Sequence, residues 1–370
     1  MTPLQDLLEE RIRRHGPMPF AAYMQLALYH PRFGYYAGGR VRSGWGGHFI
    51  TSPELDPAYG SLWARGFEDV WERCGKPAEF SVVEVGPGEG GFAHAVLTAI
   101  TGGFARALDY RLVERVPALE ERQRARLTGF DPRWFPAVAE VPPVRHGVVF
   151  VNEVLDNLPV HVVERARGEV FEVCVDVGRD GLVESLRPPA GPELGAWLTR
   201  AGIDVPEGHR VEVSMSAESF VRRCAALFDT GALVVVDYGA AAEELARRPR
   251  GSLVTYSEEG AAADPLARPG EQDITSHVNW TVVARACTEA GLDVHGPIAQ
   301  REVLRRLGAA EIDGLLRQEH ARAVAEGRGV DAVRTLSRRG ALGALLDPAG
   351  LGGLQVVIGS RGVVPQVARP

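Results

Sequence analysis

The sequence predicts an α/β protein built on a doubly wound, mostly parallel sheet. Short β-branched runs begin near residues 81, 110, 148, 233, 292 and 354, with helical patterns between most of them. The first run feeds a glycine-crowded turn and then a helix, and polar residues gather just past the ends of several others. Ligands bind at that edge of an open α/β sheet.

In chain order, residues 1–75 read as a helical extension with a lid loop. Leu4, Leu7, Leu8 and Ile12 share one face of a helix over 3–14, which His15-Gly16-Pro17 breaks. Phe20, Tyr23, Met24 and Leu28 mark a second helix, stopped before Pro31. Phe33-Gly34-Tyr35-Tyr36 and the stretch from Gly44 to Glu54 then mix aromatics with glycines, as a surface Ω-loop or a lid over a ligand would. Thr51-Ser52-Pro53-Glu54 also reads as the capped start of a helix running from Leu55 to Cys74.

Residues 76–160 form the first half of the core. Ser81–Val85 is one buried strand, and Gly86, Gly88, Gly90 and Gly91 follow it within six residues. Without a Cβ the backbone approaches a ligand closely, and the next helix offers its free N–H groups there, with Gly102-Gly103 as its stop. Gly86, Gly88 and Gly91 satisfy the dinucleotide pattern G-x-G-x-x-G. Glu84 with Gly86, Gly88 and Gly90 satisfies instead the acidic-strand, G-x-G-x-G pattern of S-adenosylmethionine sites. About eighty residues precede the turn, a position that favours the second reading. The next strand, Tyr110–Val113, ends in Glu114, an acid placed to hold ribose hydroxyls in either case. A charged helix covers 115–127, an edge strand is hidden in 132–143, and Gly147–Val151 runs into Asn152-Glu153-Val154-Leu155-Asp156.

From Val160 to Leu186 the period changes to two, the mark of an antiparallel insertion of two or three strands within a segment spanning 161–210, where a helical pattern follows around Glu193 to Ala201. Residues 211–300 return to the core with the strand Ala232–Val236 ahead of Asp237-Tyr238, a polar loop over 240–277, and a helix capped by Asn279. A helical insertion spans 301–345, broken at Gly308 and Gly327, and the last strand and tail occupy 346–370.

Net charge is −7, which argues against an extended nucleic-acid surface. The four cysteines lack metal-ligand spacing, so no metal site is expected. No apolar run is long enough to insert in a membrane, and the charged N-terminus does not look like a signal peptide. Together these predict a cytoplasmic protein.

Acidic and amide groups after the fourth strand suit a nitrogen nucleophile. Asn152 can accept from an N–H, while Glu153 and Asp156 can hold a guanidinium or amine; Asn152 and Asp156 equally suit a helix cap or contacts to a cofactor's amino group. His48 joins the candidates because it sits in the glycine-aromatic loop beside Thr51-Ser52.

Seven motifs then occur in order: Phe33-Gly34-Tyr35-Tyr36, Gly47-His48-Phe49-Ile50-Thr51-Ser52-Pro53-Glu54, Val83 to Gly88, Val113-Glu114, Asn152 to Val160, Asp237-Tyr238-Gly239 and Pro269 to Thr275. Together they resemble the MidA-like family, over nearly the whole chain. The resemblance implies a class I (Rossmann-like) methyltransferase fold using S-adenosylmethionine. It places the cofactor among Glu84, Gly86, Pro87, Gly88, Gly90 and Glu114, beside Thr51, Ser52, Pro53 and Glu54, with Asn152, Glu153, Asp156 and His48 toward the methyl acceptor. A mitochondrial member methylates an arginine of a respiratory complex I subunit, so an arginine in a protein is the expected acceptor. The family often has Asp where His48 stands and a basic residue where Glu89 stands, which leaves a small-molecule acceptor open. A non-catalytic assembly factor is the alternative of another class, and a homodimer is compatible with the sequence.

Overall fold

The computed structural model describes residues 2–37, 51–257, 259–262 and 264–369. Seven strands form the central sheet: β1 (Phe80–Val85), β2 (Leu108–Val113), β3 (Arg133–Phe135), β4 (Val144–Asn152), β5 (Phe228–Asp237), β6 (Asp293–Ala299) and β7 (Gln355–Arg361). Their spatial order is β6-β7-β5-β4-β1-β2-β3, and only β7 runs antiparallel to its neighbours. The order reverses between β1 and β4, which leaves a crevice at their carboxyl ends.

Side chains alternate across each strand, and both faces are covered. Val82, Tyr110, Val148, Phe150 and Val234 pack against Tyr59, Trp63 and Phe67 of the helix Ala58–Arg73 and Phe92 of the helix Gly91–Ala99. Phe92 and Phe150 stack at 4.5 Å between centroids, fastening the helix after the glycine turn to β4. On the other face Val83, Val85, Val149, Val151 and Val235 meet the helices Met215–Ala225 and Trp280–Glu289. Continuous Val-rich strands are what burial on both faces requires.

Local signals misled the sequence reading in four places. Gly102-Gly103 opens a further helix, Gly102–Ala107; the preceding helix ends at Ala99, with Ile100 extended beyond it. The helix predicted from Leu55 starts at Ala58, because Asp56-Pro57 separates it from the short turn Ser52–Leu55. The antiparallel insertion is a five-stranded sheet: Met18–Pro19 and Arg210–Val213 join His161–Ala166, Glu169–Val177 and Leu182–Arg187. Residues 240–277 hold a three-stranded sheet, Val254–Ser257, Gly260–Ala262 and Asp273–Thr275, where only loop was expected. Strands of two to four residues carry too little alternation to be read one at a time.

Candidate active site

β1 ends at Val85, and the chain turns on Gly86, Gly88 and Gly90 with φ of +68°, +55° and +79°. An L side chain in that region costs roughly 1–2 kcal/mol. A Cβ on Gly86 would lie 2.7 Å from Val154 Cγ2, so this glycine admits the loop after β4. A Cβ on Gly88 would meet nothing within 4 Å, because this residue faces open space.

That space is a cavity of about 1040 Å³ at the carboxyl ends of β1, β2 and β4. Glu84, Gly86, Pro87, Gly88 and Glu114 line one half, together with Thr51, Pro53 and Glu54. Gly90 lies behind the wall, packed on Gln123, and Ser52 is fully buried outside the lining. His48 lies outside the described residues.

The hydroxyl of Tyr110 donates to Glu84 at 2.6 Å, while burial pushes the Glu84 carboxyl up to about 8. Glu114 accepts from the Val116 amide at 2.8 Å and from Gln123 Nε2 at 2.9 Å, and burial raises its pKa too. Glu54 receives Arg126 Nη1 at 3.1 Å, and its Oε1 would sit 2.5 Å from a Cβ on Gly91. A second glycine thus lets the Thr51–Glu54 segment close on the turn.

The other half of the cavity is acidic and aromatic: Asn152, Glu153, Asp156 and Asp273, with Tyr29, Tyr36, Tyr238 and Tyr256. Asn152 has a fixed orientation, since its Oδ1 accepts from Tyr59 at 2.6 Å and its Nδ2 donates to Glu153 Oε1 at 2.9 Å. Glu153 holds a left-handed backbone, φ +52°, with its amide on Val236 O. Such a conformation in a non-glycine residue costs about 1–3 kcal/mol and clusters at functional sites. Asp237 anchors the loop, accepting from the amides of Leu155 at 3.0 Å, Asp156 at 3.3 Å and Tyr238 at 2.8 Å. Asp273 accepts from Asn157 Nδ2 at 2.9 Å and from the Tyr36 hydroxyl at 3.2 Å.

Burial pushes the Glu153 and Asp273 carboxyls up to about 7 and Asp237 to about 8. Asp156 is raised well above the usual carboxylate range by burial and by Asp237, Asp273 and Glu153 around it. Its Oδ1 is buried without a hydrogen-bond partner. None of these four carboxylates forms an ion pair among the described residues. Arg115 and Arg223 also line the cavity, but neither is ion-paired with these four carboxyls, and such a buried acidic cluster favours a ligand that brings positive charge and N–H donors.

From the sequence, Asp273 and Gln123 carry no site role, and Tyr36 stands only as part of an Ω-loop or lid. Asp273 lies inside the Pro269–Thr275 motif, so a signal for it existed; Gln123, in a charged helix, carried none.

Residues 62–298 match the model of the Methyltransf_28 family, described as an S-adenosyl-L-methionine-dependent methyltransferase. The chain belongs to this family. A COG1565 superfamily protein of Burkholderia thailandensis crystallised with S-adenosyl-homocysteine is 32% identical, superposes with a TM-score of 0.85, and is matched over 98% of this chain and 94% of its own. A native crystal structure of a COG1565 superfamily protein from the same organism gives 32% identity and a TM-score of 0.82, covering 99% of this chain and 93% of that one. Among curated relatives, the protein arginine methyltransferase NDUFAF7 of Xenopus tropicalis is 29% identical over 80% of this chain and 74% of its own length. The human NDUFAF7 is 29% identical over 83% and 74%.

The Methyltransf_28 chain is thus a SAM-dependent methyltransferase with the class I fold, in agreement with the MidA-like resemblance. Its glycine turn fits the cofactor: three left-handed glycines and the open position at Gly88 leave room for a nucleoside beside Glu114. One expectation is corrected. The frog, fly and human relatives are all mitochondrial proteins, which overturns the cytoplasmic location read from the N-terminus. Among the described residues no helix is long and apolar enough to cross a membrane.

Proposed function

We propose that this methyltransferase acts on a nitrogen of an arginine side chain in a protein. The observation that carries the reading is the buried, unpartnered Asp156 Oδ1 in a well shared with Glu153 and Asp273. A guanidinium supplies five N–H donors in a plane and stays charged, so it matches what that well lacks. Tyr238 and Tyr256 line the same cavity, and Tyr29 there already holds a guanidinium, that of Arg115, 4.1 Å from its ring centroid. The relatives named as protein arginine methyltransferases add support at 28–29% identity.

S-adenosylmethionine, when bound, supplies a methyl group on a sulfonium. The chain's part is alignment and charge control. Asp156 and Asp273 hold the nitrogens that are not methylated and draw the positive charge toward them. Glu153, pushed up to about 7, is matched to take the proton that the methylated nitrogen loses. Asn152 keeps the Glu153 carboxylate turned into the cavity, and Tyr59 keeps Asn152 in place.

Incubation of the purified enzyme with cell lysate and methyl-labelled S-adenosylmethionine tests this, with acid hydrolysis of the labelled protein. Label in methylarginine is the expected result. Label confined to small molecules, or to another amino acid, would overturn the proposal.

A further inference from the structure

The helix Pro117–Arg126 follows the strand-two acid and is mostly charged and exposed, yet Gln123 on it is fully buried. Its side-chain amide joins three elements. Nε2 donates to Gly88 O at 2.8 Å and to Glu114 Oε2 at 2.9 Å, and Oε1 accepts from Trp134 Nε1 on β3 at 3.0 Å. These partners settle which way the amide faces, because the reverse orientation would set its oxygen against two acceptors. The Gly88 carbonyl is thereby held toward the helix, and that peptide cannot rotate without losing the bond. The Glu114 carboxylate is held from two sides, by Gln123 and by the Val116 amide. A Cβ on Gly90 would lie 3.4 Å from the Gln123 backbone, so the turn also rests on this residue.

We propose that Gln123 is a positioning residue for the cofactor: one amide locks the glycine turn and the strand-two acid into a single preformed cradle. It touches neither reacting atom. Its removal leaves Gly88, Glu114 and Trp134 free to move, so cofactor affinity falls while the transfer step at saturating cofactor does not.

Gln123→Met keeps length and shape but deletes all three bonds. Its Kd for S-adenosyl-homocysteine, measured by calorimetry on the folded fraction, should rise at least tenfold. KM for S-adenosylmethionine should rise in parallel, with kcat and acceptor KM within about twofold of wild type. Gln123→Glu supplies a readout that a packing role would not move. Its carboxylate faces Glu114 and Gly88 O when ionised but donates one O–H when protonated. Its Kd, relative to wild type at each pH, should therefore tighten as pH falls. If Gln123→Met does not fold, Trp134→Phe removes the Oε1 contact alone and should weaken Kd by about two- to fivefold. Unchanged Kd in the folded variants, or equal losses in kcat and acceptor KM, would overturn the proposal.

Discussion

Asp156 and Glu153 are acids held where charge is disfavoured, and that decides how the site responds to mutation and to pH. Asp156→Asn keeps the shape and removes one carboxylate. We expect kcat/KM for an arginine peptide to fall at least a hundredfold, with Kd for S-adenosyl-homocysteine within twofold. Because burial, Asp237, Asp273 and Glu153 all disfavour an ionised Asp156, a neutral amide there should let the melting temperature hold or rise; a clear fall would show that Asp156 is a structural anchor. The pH dependence follows from the same groups. Glu153 and Asp273 keep their protons in the empty native protein up to about 7, whereas the unfolded chain releases them near 4.5 and 3.8. Between those limits the native state binds more protons, so these groups make stability fall as pH rises through that window. Cation binding needs the ionised form, so kcat/KM for the peptide should climb as pH approaches 7 and level off above about 8. A profile flat from pH 6 to 8 would remove these carboxylates from acceptor binding.

The glycine turn separates steric need from conformational need. A side chain at Gly86 meets Val154, while one at Gly88 meets only the cavity. Gly88→Val should leave the core folded, at a cost of about 1–2 kcal/mol for its φ of +55°, and should weaken S-adenosyl-homocysteine binding at least tenfold. Wild-type binding by that variant would place the cofactor elsewhere. This turn was legible in the sequence because strand, glycines and helix are contiguous, and their periods differ. So were six of the seven central strands, marked by clustered β-branched and apolar residues. Gln123 and the Met18–Pro19 strand were not legible, since each depends on partners far along the chain. Asp273 is intermediate: the motif was visible, but its convergence with Asn157 and Tyr36 belongs to the fold alone.

At the scale of the whole molecule, the central sheet supplies two packed faces and leaves its carboxyl edge for chemistry. The N-terminal helices and the five-stranded sheet pack together through Tyr23, Met24, Val162 and Val173, joined by Ile274 of the three-stranded sheet, which brings Tyr29 and Tyr36 to the acceptor wall. The wall thus joins segments as far apart in sequence as Tyr29 and Asp273, and cofactor binding should stabilise the assembly as a unit. S-adenosyl-homocysteine at a hundred times its Kd should add about 2.7 kcal/mol of stability. NADH at the same concentration should leave the melting temperature unchanged; a shift with NADH alone would contradict the cofactor assignment. The most direct test of the central claim is a crystal structure with S-adenosyl-homocysteine and an arginine peptide bound together. The account predicts guanidinium nitrogens within hydrogen-bonding distance of Asp156 and Glu153. A peptide arginine bound outside the well, with Asp156 Oδ1 still unpartnered, would contradict it.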